Sequence, residues 1–246
     1  MADHFLHGVE VVEIDNGPRP IRTVRSSVIG LVGTAPDADE QRFPLNTPVL
    51  IAGSRLEAAK LGATGTLPMA IDGIFDQAGA LVVVIRVAEG ATEAETQTNV
   101  LGGVDEAGQY LGLQALLAAQ SVTKVTPRIL IAPGFTHQRP TDPDDNTRQL
   151  ANPVVAELLG IAERLRAVII ADGPNTTDAA AIDYREDWGS PRIYVVDPHV
   201  KVMKNGVVVT EPVSARVAGL IAKIDNDRGF WWSPSNNVIN GILGSH

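Results

Sequence analysis

Leu81-Val82-Val83-Val84-Ile85-Arg86-Val87 is the most strand-like run of the chain. It is almost wholly apolar and β-branched, which suits a strand buried on both faces of a sheet. Upstream, residues 26–35 read SSVIGLVGTA and are closed by Pro36. They predict a second buried strand, and residues 49–52 a short third one. Ser54, with Glu57 three positions on, has the spacing of a capping box and predicts a helix reaching Gly62. A further helix is expected over 67–77, ended by Gly79.

Downstream, 89–98 reads as a polar connection and 109–120, with YLGLQALLAAQ, as a helix. Residues 127–132 predict a strand and the Pro-rich 136–152 a loop. A helix over 153–166 carries Pro153 in its first turn. Then come a strand at 168–171, a helix at 176–186 behind a Thr/Asp-rich cap, and a strand at 192–196. Asn205-Gly206 marks a type I′ hairpin within 203–209. A last helix is expected over 212–224. From Gly79 onward strands alternate with helices, the βαβ pattern of a parallel sheet covered on both faces. The fold class is therefore α/β, a mostly parallel or mixed sheet flanked by helices. Residues 5–14 alternate with a period nearer two than 3.6, and Asn16-Gly17-Pro18 breaks them. They predict an extended N-terminal arm carrying a short strand.

The composition is that of a globular chain: of 246 residues, 44% are hydrophobic and 20% charged. A net charge of -9 opposes binding to nucleic-acid phosphates and anionic membranes. No cysteine is present, which excludes disulfides, thiol nucleophiles and cysteine zinc sites. The longest apolar run, 80–85, is far short of the roughly 20 residues of a membrane helix, so a soluble protein is expected.

In an open parallel sheet the place to look for chemistry is the C-terminal ends of the strands. His137, Asp172, Asp197 and His199 follow predicted strands and could gather there. A carboxylate that orients a histidine is half of a hydrolytic triad, but no G-x-S-x-G elbow supplies a nucleophile. The histidine spacing lacks H-x-x-x-H and H-E-x-x-H patterns. Gly30–Thr34 follows a strand like part of a phosphate loop, yet Ala35-Pro36 stands where Lys-Ser or Lys-Thr would be needed. No catalytic, cofactor-binding or metal-binding residue is assigned, and a hydrolase-like or flavodoxin-like enzyme remains the alternative. Phe230-Trp231-Trp232 is the densest aromatic cluster of a chain only 4% aromatic. With only Lys223 and Arg228 as basic neighbours, it reads as a packing or interface anchor rather than a base-stacking platform.

Several stretches, taken in order, resemble the contractile phage tail-sheath proteins of the P2 type, of prophages and of pyocin-like particles. They are His7-Gly8-Val9 with Val11 and Glu13, Arg19-Pro20-Ile21, 27–35, 43–46 and 48–51. Further on they are 108–113, 127–134, 216–219, Gly229-Phe230-Trp231-Trp232-Ser233-Pro234-Ser235-Asn236 and Ile239-Asn240-Gly241-Ile242. The resemblance covers nearly the whole chain, and none of it is catalytic.

That resemblance implies a structural subunit, not an enzyme, that stacks in hexameric rings around a tail tube. It implies a baseplate and a tail terminator as further partners, contraction without a nucleotide or other cofactor, and a place in the virion tail after assembly in the host cytoplasm. Arm residues His7, Val9, Val11 and Glu13 would add a strand to a neighbouring subunit. The expected division is an arm at 1–25, an α/β body at 26–228 with a possible subdomain boundary near 88–104, and the start of a C-terminal domain at 229–243. Phe230, Trp231 and Trp232 would lead into that domain. Residues 244–246 resemble a cloning scar. Family members continue past the Asn-Gly-Ile motif, so a truncated, weakly associating subunit is expected.

Overall fold

The computed structural model describes residues 27–246. β1 (Ile29–Thr34) is buried along its whole length. β2 (Val49–Ala52) leads into the short helix α1 (Arg55–Ala58), where Ser54 Oγ accepts the Glu57 N–H at 3.2 Å. Only this half of the capping box forms, because the Glu57 carboxylate pairs with Arg42 (2.6 Å) and Lys60 (3.2 Å) instead. α2 (Thr66–Phe75) and β3 (Leu81–Val87) follow as the sequence predicts.

Two expectations differ. Within 89–98, read as a connection, α3 (Glu93–Leu101) forms. Thr92 Oγ1 accepts the Glu95 N–H at 3.2 Å, and the Glu95 carboxylate accepts the Ala91 N–H at 2.8 Å, so one turn satisfies two donors. The 109–120 stretch is not one helix. It opens with β5 (Tyr110–Leu111), paired antiparallel to β4 (Gly103–Val104). A 3-10 helix (Gly112–Ala118) and α4 (Ala119–Thr123) come next. Gly112, at φ 55°, turns the chain there, and its N–H is held at 2.9 Å by the Asn46 side chain.

The remaining elements are β6 (Ile129–Ile131), α5 (Pro153–Leu165), β7 (Val168–Asp172), α6 (Asp178–Glu186) and β8 (Ile193–Val196). They are followed by β9 (Val200–Lys204), β10 (Val207–Glu211), α7 (Ser214–Arg228) and β11 (Gly244–Ser245). The large sheet has the order β2-β3-β1-β6-β7-β8. All its pairings are parallel except that of β2 with β3. The expected α/β fold with a mixed, mostly parallel sheet is what the chain adopts.

The apolar runs are continuous because both faces of the sheet are covered. Alternate residues feed two cores. Ile29, Leu31, Val82, Val84, Ile129, Ile131 and Ile170 face a cluster completed by α2 and α7. Val32, Ile85, Val87, Leu130, Ile169 and Ala171 face one completed by the 3-10 helix, α5 and α6. Helices α2 and α7 touch at Gly219, where a Cβ would stand 2.6 Å from the Ile74 carbonyl oxygen. The one charged residue in the middle of these strands, Arg86, is 6% exposed. Its guanidinium donates to the Phe43 (2.7 Å) and Ala35 (3.4 Å) carbonyls and so ties down the loop after β1.

A second sheet, β10-β9-β11, lies beside the first, and Val200 and Val202 join it to the α2/α7 core. Asn205 (φ 52°) and Gly206 (φ 81°) make the hairpin turn with both central residues at positive φ, as a type I′ turn requires. Residues Gly244–Ser245 pair with Lys201 and Val200. Among the described residues no helix is long and apolar enough to cross a membrane. His7, Val9, Val11 and Glu13 lie outside the described residues.

Candidate functional site

Four polar residues singled out from the sequence do converge. His137 follows β6, Asp172 ends β7, and Asp197 and His199 follow β8, so the parallel topology carries all four to one end of the sheet. Asp172 is fully buried. Its Oδ1 accepts the Ser214 N–H at 2.8 Å and its Oδ2 accepts the Ser214 hydroxyl at 2.5 Å. Burial pushes this carboxyl up to about 6, against the pull of the Ser214 hydrogen bonds. Asp197 Oδ1 accepts the Asn175 N–H at 2.8 Å, and Asn175 Oδ1 accepts the His199 N–H at 2.9 Å. The peptide bond Asp197-Pro198 is cis.

His137 and His199 meet edge to face, with ring centroids 5.6 Å apart and an interplanar angle of 79°. Burial holds both imidazoles below the usual histidine range. The arrangement has little scope for acid–base work. The Asp172 carboxylate is spent on a helix terminus, Asp197 on a turn, and among the described residues no carboxylate is hydrogen-bonded to either imidazole. Among the described residues no group of three His, Asp or Glu is set to hold a metal ion. These residues organise the end of the sheet, and no observation favours the enzyme alternative.

The aromatic cluster is placed quite differently. Phe230, Trp231 and Trp232 follow α7 and are 68%, 72% and 53% exposed. Phe230 and Trp231 pack edge to face at 5.3 Å, and the Arg228 guanidinium stands 5.6 Å from the Trp232 ring. The rings therefore hold one another in place while presenting apolar surface to solvent. Val238 and Leu243 on the same segment, and Met203, Val207 and Val208 on the β9–β10 hairpin, are also exposed. Single exposed apolar residues are ordinary, whereas here they gather on one segment and one hairpin.

What fixes the aromatic segment to the body had no signal in the sequence beyond the Ile239-Asn240-Gly241-Ile242 motif. The Asn240 N–H donates to Gln77 Oε1 at 2.8 Å, and Gln77 Nε2 donates to the Asn240 carbonyl at 3.0 Å. Arg216, 4% exposed, donates to the same carbonyl (3.0 Å) and to Asp76 (2.9 Å), with Glu211 at 3.5 Å. A cavity of about 480 Å³ opens beside this network, lined by Arg55, Asp72, Lys204 and Glu211 among others. Its positive and negative side chains are mostly paired with one another, so it is a seam between α2, α7 and the small sheet rather than a binding pocket.

A family model described as the phage tail sheath protein central domain matches residues 108–245, and one described as the tail sheath protein Gp18 domain III N-terminal region matches residues 26–87. A putative prophage major tail sheath protein of Pseudomonas aeruginosa (strain UCBPP-PA14) is 39% identical over 244 residues, covering 98% of this chain and 60% of that protein. The tail sheath protein of Escherichia phage P2 is 37% identical over 254 residues, covering 99% and 60%. The chain thus spans about 60% of the length of these curated relatives. Among solved structures, the helical sheath of the anti-feeding prophage in its contracted state aligns with a TM-score of 0.55 at 22% identity, over 98% of this chain and 59% of that one. The sheath complex of an extracellular contractile injection system in its contracted state aligns with a TM-score of 0.59 at 15% identity, over 99% and 57%.

Proposed function

The chain belongs to the phage tail sheath protein family, and from that premise we propose that it acts as a structural subunit of a contractile sheath. The observation that carries the reading is the family match over the α/β body, from 26 to 87 and from 108 to 245. In this reading the subunit polymerises with copies of itself around a tail tube and contracts to drive the tube through a cell envelope. A baseplate at one end and a terminator at the other are its further partners, and the virion tail is its place of action. The sheath does no bond chemistry, and its work comes from a difference in subunit packing between two assembled states.

Two features support it. The Asp172 and Asp197 carboxylates at the sheet's end are taken up by the Ser214 and Asn175 hydrogen bonds, and the exposed apolar surface is concentrated on a segment and a hairpin suited to subunit contacts. His7, Val9, Val11 and Glu13 would supply strand addition between subunits, because backbone pairing tethers neighbours while their bodies slide. Phe230, Trp231 and Trp232 would lie against the part of the sheath nearer the tube.

Electron microscopy of the protein expressed with a tail tube protein tests the proposal. Hollow helical cylinders enclosing a tube are expected. A dispersed monomer under every condition that assembles a known sheath would overturn it.

A further inference from the structure

The interior of the sheet's C-terminal end holds a pair of groups that the sheath reading does not use. His137 Nδ1 and His199 Nε2 are both buried and neither has a hydrogen-bond partner among the described residues. His199 is 8% exposed, and the rings meet edge to face at 5.6 Å. The two histidines come from different loops. His137 follows β6, whereas His199 closes the Asp197-Pro198-His199 turn that links the large sheet to β9 of the small one. The turn is held by few bonds. Asn175 joins it through Asp197 Oδ1 and the His199 N–H, and the His199 carbonyl accepts the His246 N–H at 2.9 Å.

We propose that the His137–His199 contact is a proton-operated latch, closed while both rings are neutral and opened when the pair is protonated, which frees the 197–199 turn and loosens the small sheet from the large one. One proton leaves a cation against a neutral ring. A second puts two like charges 5.6 Å apart in a site that gives them little solvation. The surroundings do not offset this. Glu93 of α3 faces His137 and favours its charged form, but its carboxylate also accepts Gln138 Nε2 at 2.9 Å. Asp197 favours a charged His199, while His137 and His246 oppose it. Asp172, at the end of β7, has both oxygens turned to Ser214. Burial is the first cause that holds both rings below the ordinary range, so the closed form binds fewer protons than the open one. Acidification below about 6.5 therefore drives opening.

Hydrogen exchange of the whole 246-residue chain at pH 7.5 and pH 5, corrected for intrinsic rates, tests the latch. Amides of 199–204 and 207–211 should exchange at least about tenfold faster at pH 5, because each extra proton taken up on opening shifts the equilibrium about tenfold per pH unit. Amides of β1 and β3 should not change. The double variant His137→Phe, His199→Phe keeps two rings in contact but cannot be charged, and it should lose the step. His246→Gln should keep it. Should the double variant fail to fold, ring titration of the wild-type chain by NMR decides instead. Two rings that titrate in coupled steps below 6.5 support the latch, and independent titration near 6.5 overturns it. A step that is absent from the wild type, survives in the double variant or follows His246 also overturns it.

Discussion

Asp172, the last residue of β7, caps α7 from 42 residues away: its carboxylate takes the backbone N–H of Ser214 at 2.8 Å and the Ser214 hydroxyl at 2.5 Å. Val213, the residue at the helix's own N-cap position, has no side-chain bond to offer. A helix start needs acceptors for its free N–H groups, and here a strand end provides one. The core of the protein is thereby stitched to the segment that carries its exposed aromatic rings.

This relationship predicts a pH signature. The carboxyl of Asp172 sits at about 6 in the folded chain, raised above its ordinary 3.8. The folded state therefore binds the proton more tightly than the unfolded state. That contribution is fully present below about 3.8 and lost as pH rises through 6. Asp172→Asn removes the titration, so the stability of the variant relative to wild type should rise between pH 4 and pH 7, by up to about 3 kcal/mol. Asp172→Ala instead leaves the Ser214 N–H buried without an acceptor and should cost about 1–3 kcal/mol at pH 5. Urea denaturation of the three proteins at pH 4, pH 5 and pH 7 measures each difference. A constant gap between wild type and Asp172→Asn would refute the assignment.

The Gln77–Asn240 clasp predicts a contrast between its two partners. Gln77→Ala strips both backbone groups of Asn240 of their Gln77 partner and should cost about 1–3 kcal/mol. Asn240→Ala removes only a side chain whose bond to the Asp76 carbonyl is 3.3 Å long, and should cost about 1 kcal/mol or less. Hydrogen exchange across 238–243 should rise in the first variant and hold in the second. Equal effects would mean that the segment is held by its side chains rather than by its backbone.

These cases show what could be read in advance. Strands such as Leu81–Val87 and Val168–Asp172 were legible because burial on both faces leaves a nearly continuous apolar run, interrupted by Arg86 in the first and closed by Asp172 in the second. The Asn205-Gly206 turn was legible because positive φ at both central positions nearly dictates the residue pair. The cap of α3 was also written in the sequence, as Thr92 with Glu95, but polar residues on an exposed helix hide its period. Residues 110–118 misled because an apolar stretch reads alike as α-helix and as a strand leading into a 3-10 turn, and the deciding contact, Asn46 with Gly112, spans 66 residues. The convergence of His137, Asp172, Asp197 and His199 followed from the parallel topology. The engagement of the two carboxylates did not, because it depends on partners at Asn175 and Ser214 that only the fold brings in.

Two glycines in helices predict opposite outcomes for the same substitution. Gly219 of α7 sits where a Cβ would meet the Ile74 carbonyl oxygen at 2.6 Å, so Gly219→Ala must push α2 and α7 apart. It should destabilise by about 1–3 kcal/mol. Gly160 in the interior of α5 has open space, so Gly160→Ala should stabilise by roughly 0.5–1 kcal/mol through helix propensity alone. Thermal denaturation of the two variants beside the wild type should move Tm in opposite directions. A loss of stability at Gly160 would mean that its surface is already covered.

The aromatic segment separates stability from assembly. Trp231 is 72% exposed, and beyond its contacts with Phe230 and the Gly229 backbone its ring supports little of the body. Trp231→Ala in this chain should therefore leave the denaturation midpoint nearly unchanged, within about 0.5 kcal/mol. A buried anchor of the same size would cost about 3–5 kcal/mol. If the ring serves subunit packing, the same substitution in the protein expressed with a tail tube protein should abolish or shorten the helical cylinders, since large aromatic side chains at the centre of an interface carry much of its energy. Arg228→Ala should have a smaller effect of the same kind, because the guanidinium only orients Trp232. Normal cylinders from a folded Trp231→Ala protein would assign the exposed rings no part in assembly. A substantial loss of stability in the isolated chain would instead make them part of its own core.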